Sequence, residues 1–371
     1  MTSITPTLGS GPGLRTYGVV AALARHHPVE VAYVSWGAAQ PAAEYRRLQN
    51  VTLRALHASR GPARMVEFTR ARTRRVPGGL ARGVSPALAA AARAAPAEVR
   101  VIADGPVVAA GLLGAARTRE IVYLAHNLES GGFRRESERA GLERFERVVV
   151  RRYSECWMAT RADERGARLL GGDRVRTRYV PNVVDAARVE PVSPTAAGRL
   201  LFVGDFTYEP NAEALRFLAG GVLPAVWERM PGARLTAVGR GSDSIGIRLD
   251  PRIEAPGFVE DIDAAYRAAD VVLVPLLRGG GSPLKFVQGL AHGLPVVASA
   301  HAARLLEDGV PGRDFLAAED ASEFAAAIEA LLGDPARGAG IGSAGRELAL
   351  GRYSVDHLAT LIGPMTEPGS S

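Results

Sequence analysis

Short runs of β-branched and aliphatic residues alternate with Ala/Leu/Arg-rich stretches of helical period along nearly the whole chain. Such alternation predicts βαβ units and parallel sheets. In the first half strands are expected near Val29–Ser35, Val51–Leu56, Val99–Ala103, Ile121–Ala125, Cys156–Ala159 and Arg178–Val180. The second half repeats the pattern near Leu200–Gly204, Arg234–Val238, Ile253–Ala255, Val271–Pro275 and Val296–Ser299. Between the two series lies a Pro-rich stretch, Pro181 to Pro194, which reads as an interdomain connection. The final stretch, Tyr353–Met365, reads as an amphipathic helix with Val355, Leu358, Leu361 and Ile362 on one face.

The pattern therefore predicts an α/β protein of two Rossmann-like domains with parallel sheets, residues 1–185 and 186–350. Residues 351–365 form a terminal helix and residues 366–371 a disordered tail. A chain of 371 residues is long enough to give each domain its own core. One place resists the pattern. Only Thr2–Thr7 precedes the first glycine-rich turn, with prolines and threonines where an apolar strand is expected, which marks the start as truncated or misassigned.

Hydrophobic residues make up 47% of the chain and charged residues 23%, as in ordinary globular proteins. No apolar run reaches the roughly 18–20 residues of a spanning helix, and no signal-peptide pattern opens the chain, so a cytoplasmic location is expected. The single cysteine, Cys156, sits in the apolar run Cys156-Trp157-Met158-Ala159 and reads as a buried, inert thiol. No Cys/His cluster has zinc spacing and no Asp-x-Asp pair is placed for a catalytic metal, so neither metal nor cofactor is expected.

Charge is uneven. Residues 1–185 carry 29 Arg against 16 acids, whereas the remainder carries 16 basic residues against 23 acids. A basic first half suits an anionic partner such as a membrane surface or an acidic acceptor, although an Arg-rich solvated surface would look the same. Nucleic acid is not indicated, because the basic stretch Arg64 to Arg75 has one aromatic residue, Phe68, and no stacking pattern.

Each half opens with a strand, a glycine-containing turn and a helix. In the first half the turn is Gly9-Ser10-Gly11-Pro12-Gly13, before a helix expected from about Leu14 to His26. Amides of Gly11 and Gly13, with the positive end of the helix dipole, suit an anionic or sugar ligand. A plain tight turn fits the residues equally well. A dinucleotide fingerprint does not fit, since Thr16 stands where the third glycine belongs and the next strand ends in Val34-Ser35-Trp36 without an acid.

A sharper signal lies in the second half, where a buried strand runs through Leu273-Val274-Pro275 into Gly279-Gly280-Gly281-Ser282-Pro283-Leu284-Lys285. Ser282 offers a helix cap, Pro283 fits the first helical position, and the helix should end at Gly293. Its N-terminus would then present amides at the carboxyl end of a parallel strand. Lys285 lies on the first turn and is the only lysine in a chain that otherwise uses arginine. That choice points to a compact ammonium beside phosphate. In the first half His126 follows the strand Ile121–Ala125 at its carboxyl end, whereas Asn127 and Glu129 read as loop formers and capping groups.

At these residues the chain resembles glycosyltransferase family 4, a retaining group with the GT-B fold. The resemblance runs from about Thr5 to Met365. It takes in the N-terminal glycine loop, His126-Asn127-Leu128-Glu129-Ser130, Pro181-Asn182-Val183-Val184-Asp185, Leu201-Phe202-Val203-Gly204 and Pro210-Asn211-Ala212-Glu213-Ala214. It continues with Val238-Gly239-Arg240-Gly241, Pro256-Gly257-Phe258-Val259 with Asp261, the Gly279–Lys285 loop, and Gly293-Leu294-Pro295-Val296-Val297. The resemblance implies two domains facing a cleft, with a nucleotide-sugar donor held by the second and an acceptor by the first. It places Gly204 and Asp205 along the pyrophosphate and the base near Phe258 and Val259. Gly281, Ser282, Pro283 and Leu284 surround the donor sugar and phosphates, Lys285 neutralises the leaving diphosphate, and His126 reaches the donor sugar. The final helix crosses back onto the first domain.

Two departures stand out. Relatives commonly carry a glutamate pair around the donor loop; here the positions hold Gly280, as in a sub-branch with a glycine run before lysine, and Gln288. A glutamine can hydrogen-bond a ribose hydroxyl without the charge-assisted part. The Arg and Lys that often follow the second domain's first strand are replaced near Asp205 and Asn211. The resemblance nevertheless implies metal-independent, retaining transfer of a sugar from a nucleoside diphosphate to an acceptor hydroxyl, in polysaccharide, glycoconjugate or secondary-metabolite synthesis. The alternative is a non-catalytic nucleotide- or sugar-binding subunit, favoured by Gln288 and Asp205. An epimerase is disfavoured by the lack of paired acids.

Overall fold

The computed structural model describes every residue except 4, 36–38, 58–64, 67–68, 70–75, 78–79, 82–84, 133–135, 187, 196, 281–282 and 364–371. The disordered-tail expectation and most of the Arg64 to Arg75 stretch lie outside the described residues. The chain divides into two compact units, one built mainly of Met1–Asn182 and the other of Val183–Gly279 and Pro283–His357.

In the first unit β1 (Val29–Ser35) and β2 (Val51–His57) pair in parallel, from Val29 opposite Val51 to Ser35 opposite His57. A second parallel sheet follows in simple order, β3 (Val101–Asp104), β4 (Ile121–Leu124), β5 (Glu155–Met158) and β6 (Thr177–Tyr179). The first two residues of the chain link these sheets. Thr2 donates to the Ala32 carbonyl and accepts from the Val34 amide. The Met1 ammonium donates to the Ile102 carbonyl at 2.8 Å, and the Met1 carbonyl accepts from the Asp104 amide. A two-residue rung thus stands where an apolar strand was expected, so the Pro- and Thr-rich sequence after it is free to form a loop.

The first helix spans Gly11–Leu23, three residues earlier than expected at each end. Ser10 caps it, its hydroxyl accepting from the Gly13 amide at 3.2 Å. Gly11 and Gly13 are therefore helical residues and not part of a preceding loop. Gly13 is required there because a Cβ would sit 2.1 Å from the Thr7 carbonyl oxygen. On the buried face of this helix Arg15 donates to the carbonyls of Ala125 and Val180 at 2.9 and 2.8 Å and to Asn182 Oδ1 at 2.9 Å. Burial lowers its guanidinium to about 10. Cys156 is fully buried, and burial pushes its thiol up to about 12, as an inert core sulfur requires.

The second unit holds six parallel strands, β7 (Arg199–Val203), β8 (Arg234–Val238), β9 (Ile253–Gly257), β10 (Val271–Val274), β11 (Val296–Ser299) and β12 (Leu316–Ala318). Their spatial order is β12-β11-β10-β7-β8-β9. Every residue of β10 and β11 is buried, as strands covered on both faces must be. β12 was not anticipated, because three residues reading Leu-Ala-Ala carry no strand signal. Strand order reverses between β7 and β10, and open α/β sheets bind ligands outside the carboxyl ends of such a pair.

The terminal helix is Val355–Ile362, shorter than expected. Val355, Leu358 and Ile362 are buried, but Leu361 is 40% exposed and does not share their face. Leu358 onward groups with the first unit, where Arg178 Nη1 donates to the Ile362 carbonyl at 3.3 Å. Among the described residues no helix is long and apolar enough to cross a membrane, and no cluster of His, Cys, Asp and Glu could hold a metal.

Candidate functional site

In the second unit the switch point is built from glycines. β7 runs into Gly204, whose amide donates to the Val238 carbonyl at 3.0 Å. Gly239 follows β8 with φ of +138°, and a Cβ there would lie 1.8 Å from the Gly204 carbonyl oxygen. The two turns therefore close on each other with no room for a side chain. A Cβ on Gly204 would in turn meet Asn211 Cγ at 3.0 Å and Lys285 Nζ at 3.1 Å.

Lys285 reaches this point from the first turn of the helix Leu284–Ala291. That helix starts one residue later than expected. Pro283 is its cap, in extended conformation, so it does not occupy the first helical position, and among the described residues no side chain caps the helix. Gly293 ends it as expected, with φ of +70°. Gly281 and Ser282 lie outside the described residues, whereas Pro283 and Leu284 are buried at the helix start.

The Lys285 ammonium donates to Asn211 Oδ1 at 2.6 Å and stands 4.8 Å from the Phe202 ring centroid. Among the described residues no carboxylate pairs with it. Burial therefore lowers the amine to about 7. Asn211 is fixed at its other end, where Nδ2 donates to the Asp205 carbonyl at 2.7 Å. Nothing in its sequence context beyond a helix start, Pro210-Asn211, distinguished it as the partner of the lysine.

The other expected donor residues are more dispersed. The Asp205 carboxylate accepts from the Thr207 amide at 3.0 Å and from the Thr207 hydroxyl, and lies 3.7 Å from Arg240 Nη1. Gln288 is half-buried on the Lys285 helix, and its Oε1 accepts from the Tyr266 hydroxyl at 3.3 Å. Tyr266 is itself held by stacking on His292, with ring centroids 4.5 Å apart. Beyond β9, Phe258 is 60% exposed and Val259 packs partly against the core. On the loop after β10 Arg278 pairs with Glu213 at 2.6 Å, a contact that sequence reasoning missed.

In the first unit β3 and β4 deliver a second group of side chains. His126 Nε2 lies 2.8 Å from Asp104 Oδ1, and Asp104 Oδ2 accepts from the Thr16 hydroxyl at 2.9 Å. Burial alone would push the Asp104 carboxyl up. The hydrogen bond and charge of His126, the Met1 ammonium and Thr16 outweigh burial and hold it below its usual value. An ionised Asp104 keeps Nε2 protonated, so that in the neutral imidazole Nδ1 is the acceptor atom. Gly105, at φ of +78°, lies against the ring, since a Cβ would stand 3.1 Å from His126 Cε1.

Asp104, Gly105 and His126 line a cavity of about 220 Å³ together with Gly13 and Glu129. Gly11 does not line it, and the Gly13 amide is already bonded to Ser10. Burial pushes the Glu129 carboxyl up, with Glu146 and Asp163 adding to the shift and His126 opposing it. Glu129 was read as a loop former; its place in the wall of this cavity was not legible in the sequence.

Residues 197–334 match the family model of glycosyl transferases group 1. This group 1 region contains Gly204, Asn211, Gly239, Lys285 and Gln288. The chain is also 34% identical over 179 residues to a phosphatidyl-myo-inositol mannosyltransferase of Mycolicibacterium smegmatis, covering 44% of each chain. A D-inositol 3-phosphate glycosyltransferase of Geodermatophilus obscurus is 33% identical over 208 residues, covering 47% of this chain and 45% of that one. The chain thus matches less than half the length of these curated relatives.

Likeness of fold extends further. Anabaena HepE, solved with UDP and glucose, superposes with a TM-score of 0.70 at 15% identity over 97% of both chains. Sucrose-phosphate synthase of Thermosynechococcus elongatus gives 0.68 at 18% identity, over 97% of this chain and 96% of that one. The fold is the α/β, parallel-sheet fold of GT-B glycosyltransferases.

Proposed function

We propose that this protein is a glycosyltransferase that moves a sugar from a nucleoside diphosphate to an acceptor hydroxyl, with retention at the anomeric carbon and without a metal. The observation that carries the reading is Lys285, a half-buried ammonium at the sheet's switch point with no carboxylate among the described residues to neutralise it. A diphosphate would supply the missing charge, aided by the amides at the start of the Leu284–Ala291 helix. The group 1 match over the same residues supports it, as do relatives named for mannosyl and glycosyl transfer and a structural neighbour that binds UDP.

In this reading the bond from the anomeric carbon to the diphosphate oxygen breaks, and its electron pair stays on the phosphate. Lys285, oriented by Asn211, meets the charge that develops there, and such preorganised stabilisation is the chief catalytic contribution. The acceptor oxygen bonds to the same face of the anomeric carbon and its proton passes to the departing phosphate. The first unit supplies the acceptor side, with Asp104 holding His126 in one tautomer.

Calorimetric titration with UDP, GDP, ADP and dTDP tests the site. One nucleotide should bind saturably, and Lys285→Ala should weaken it at least about tenfold, the size expected for a lost charge-assisted contact. Folded protein that binds none of the four would refute the reading.

A further inference from the structure

The cavity beside Asp104 and His126 has chemistry of its own. At about 220 Å³ it falls below the roughly 300–1,000 Å³ of pockets for drug-sized ligands. It holds one ring and little more. Beside His126 it carries two carboxylates, Asp104 and Glu129, and no Lys or Arg lines it among the described residues. Asp104 is matched by His126 and Thr16, but the Glu129 carboxylate lines the cavity with no hydrogen-bond partner among the described residues. An unpartnered carboxylate is an acceptor with several open lone pairs, and adjacent hydroxyls on a ring are donors suited to fill them.

Two helices, Gly11–Leu23 and Gly105–Leu112, begin at this cavity, and helix starts ordinarily draw anions. Here that attraction is already answered. The second residue of each helix is a proline, Pro12 and Pro106, with no amide hydrogen to offer. The Gly13 amide is bonded to Ser10, and the charge of Asp104 stands at the cap of the second helix.

We infer that this cavity binds one uncharged, hydroxyl-rich ring of the monosaccharide or cyclitol class, and that Glu129 is the residue that turns phosphorylated rings away. A phosphate entering the cavity would lose water and meet like charge at short range, where repulsion is least screened. The same hydroxyls that satisfy Glu129 orient the ring against Nδ1 of His126. That the bound ring acts as sugar acceptor rests on the proposed function; its binding does not.

The test uses the full chain without nucleotide, titrated with myo-inositol and D-glucose and with myo-inositol 1-phosphate and D-glucose 6-phosphate, followed by saturation-transfer NMR. At least one uncharged ring should bind saturably, and its phosphate should bind at least about tenfold more weakly. Glu129→Gln should remove most of that difference, while its thermal midpoint stays level or rises because burial penalises the native carboxylate. Val107→Phe, which fills the cavity from its wall, should abolish binding of the ring. The inference is overturned if neither uncharged ring binds, if phosphates bind as tightly, or if either substitution leaves binding as it was. Because no nucleotide is present, failure here is separate from failure of the nucleotide titration at Lys285.

Discussion

Lys285 Nζ and Asn211 Oδ1 lie 2.6 Å apart, and this neutral amide, not a carboxylate, is what holds the chain's only lysine at the end of β7. A carboxylate there would neutralise the ammonium permanently. An amide orients it and leaves its charge for something else.

The amine's low value sets a proton-linked behaviour. With a pKa near 7 in the empty site, Lys285 is largely neutral at pH 8 and must gain a proton when a diphosphate arrives. Nucleotide titrations at pH 8 in buffers of different ionisation enthalpy should show proton uptake, which Lys285→Met should lack. The same shift makes stability rise with pH between about 7 and the unfolded value of 10.5, since the unfolded chain binds the extra proton in that window. Chemical denaturation of Lys285→Met across this range should give a flatter profile.

Asn211→Ala should separate position from charge. It removes both the contact to Lys285 and the bond to the Asp205 carbonyl. The stability cost should be about 1–2 kcal/mol, the usual range for lost side-chain hydrogen bonds. Nucleotide affinity should fall by about tenfold. Asn211→Asp should lower affinity as well, because it pairs with the ammonium, even as thermal stability holds. A rise in affinity with the aspartate would contradict the role given to the amide.

Gly239 and Gly204 make a sharper structural prediction. Gly239→Ala puts a methyl group into the Gly204 carbonyl and asks alanine to adopt φ of +138°. Destabilisation beyond about 3 kcal/mol is expected from clash and backbone strain together. Gly220→Ala is the control, since no atom lies within 4 Å of its added Cβ and it should be neutral or slightly stabilising. Equal midpoints for the two variants in urea unfolding would show that the turn at Gly204 tolerates movement.

Asp104→Asn should act through His126. Losing the ionised partner at 2.8 Å frees the imidazole to exchange tautomers, visible as a shift in its nitrogen resonances by NMR. Asp104 is held below its usual value, so the stability it confers is present above the unfolded pKa of 3.8 and lost as pH falls through the folded one. Acid unfolding of Asp104→Asn should therefore depend less steeply on pH.

Much of the architecture was legible because strands such as β4, β10 and β11 are short, nearly unbroken apolar runs. β1, β8 and β11 begin and end where the hydrophobic pattern does. β12 escaped because its strand character comes from pairing with β11, not from its own residues. Helix starts were less legible. Gly11 and Pro12 look like a loop until Ser10 is seen to cap them, and Pro283 turns out to cap its helix itself. At the candidate site, residue type identified Lys285 and strand position identified His126. Their partners Asn211, Asp104 and Thr16, and the neighbouring Glu129, are common residues in common contexts, and only the fold brings them close.

Arg15 carries a consequence for how the first unit assembles. Its guanidinium has acceptors only when Ala125, Val180 and Asn182 are in place, up to 167 positions further along the chain. Until then the buried face of the first helix would enclose a cation without partners, which is costly. Closure over so long a loop is slow. A nascent chain should therefore keep this helix undocked until Asn182 has left the ribosome, and release of the segment around Pro181 becomes the event that lets the N-terminal half lock shut.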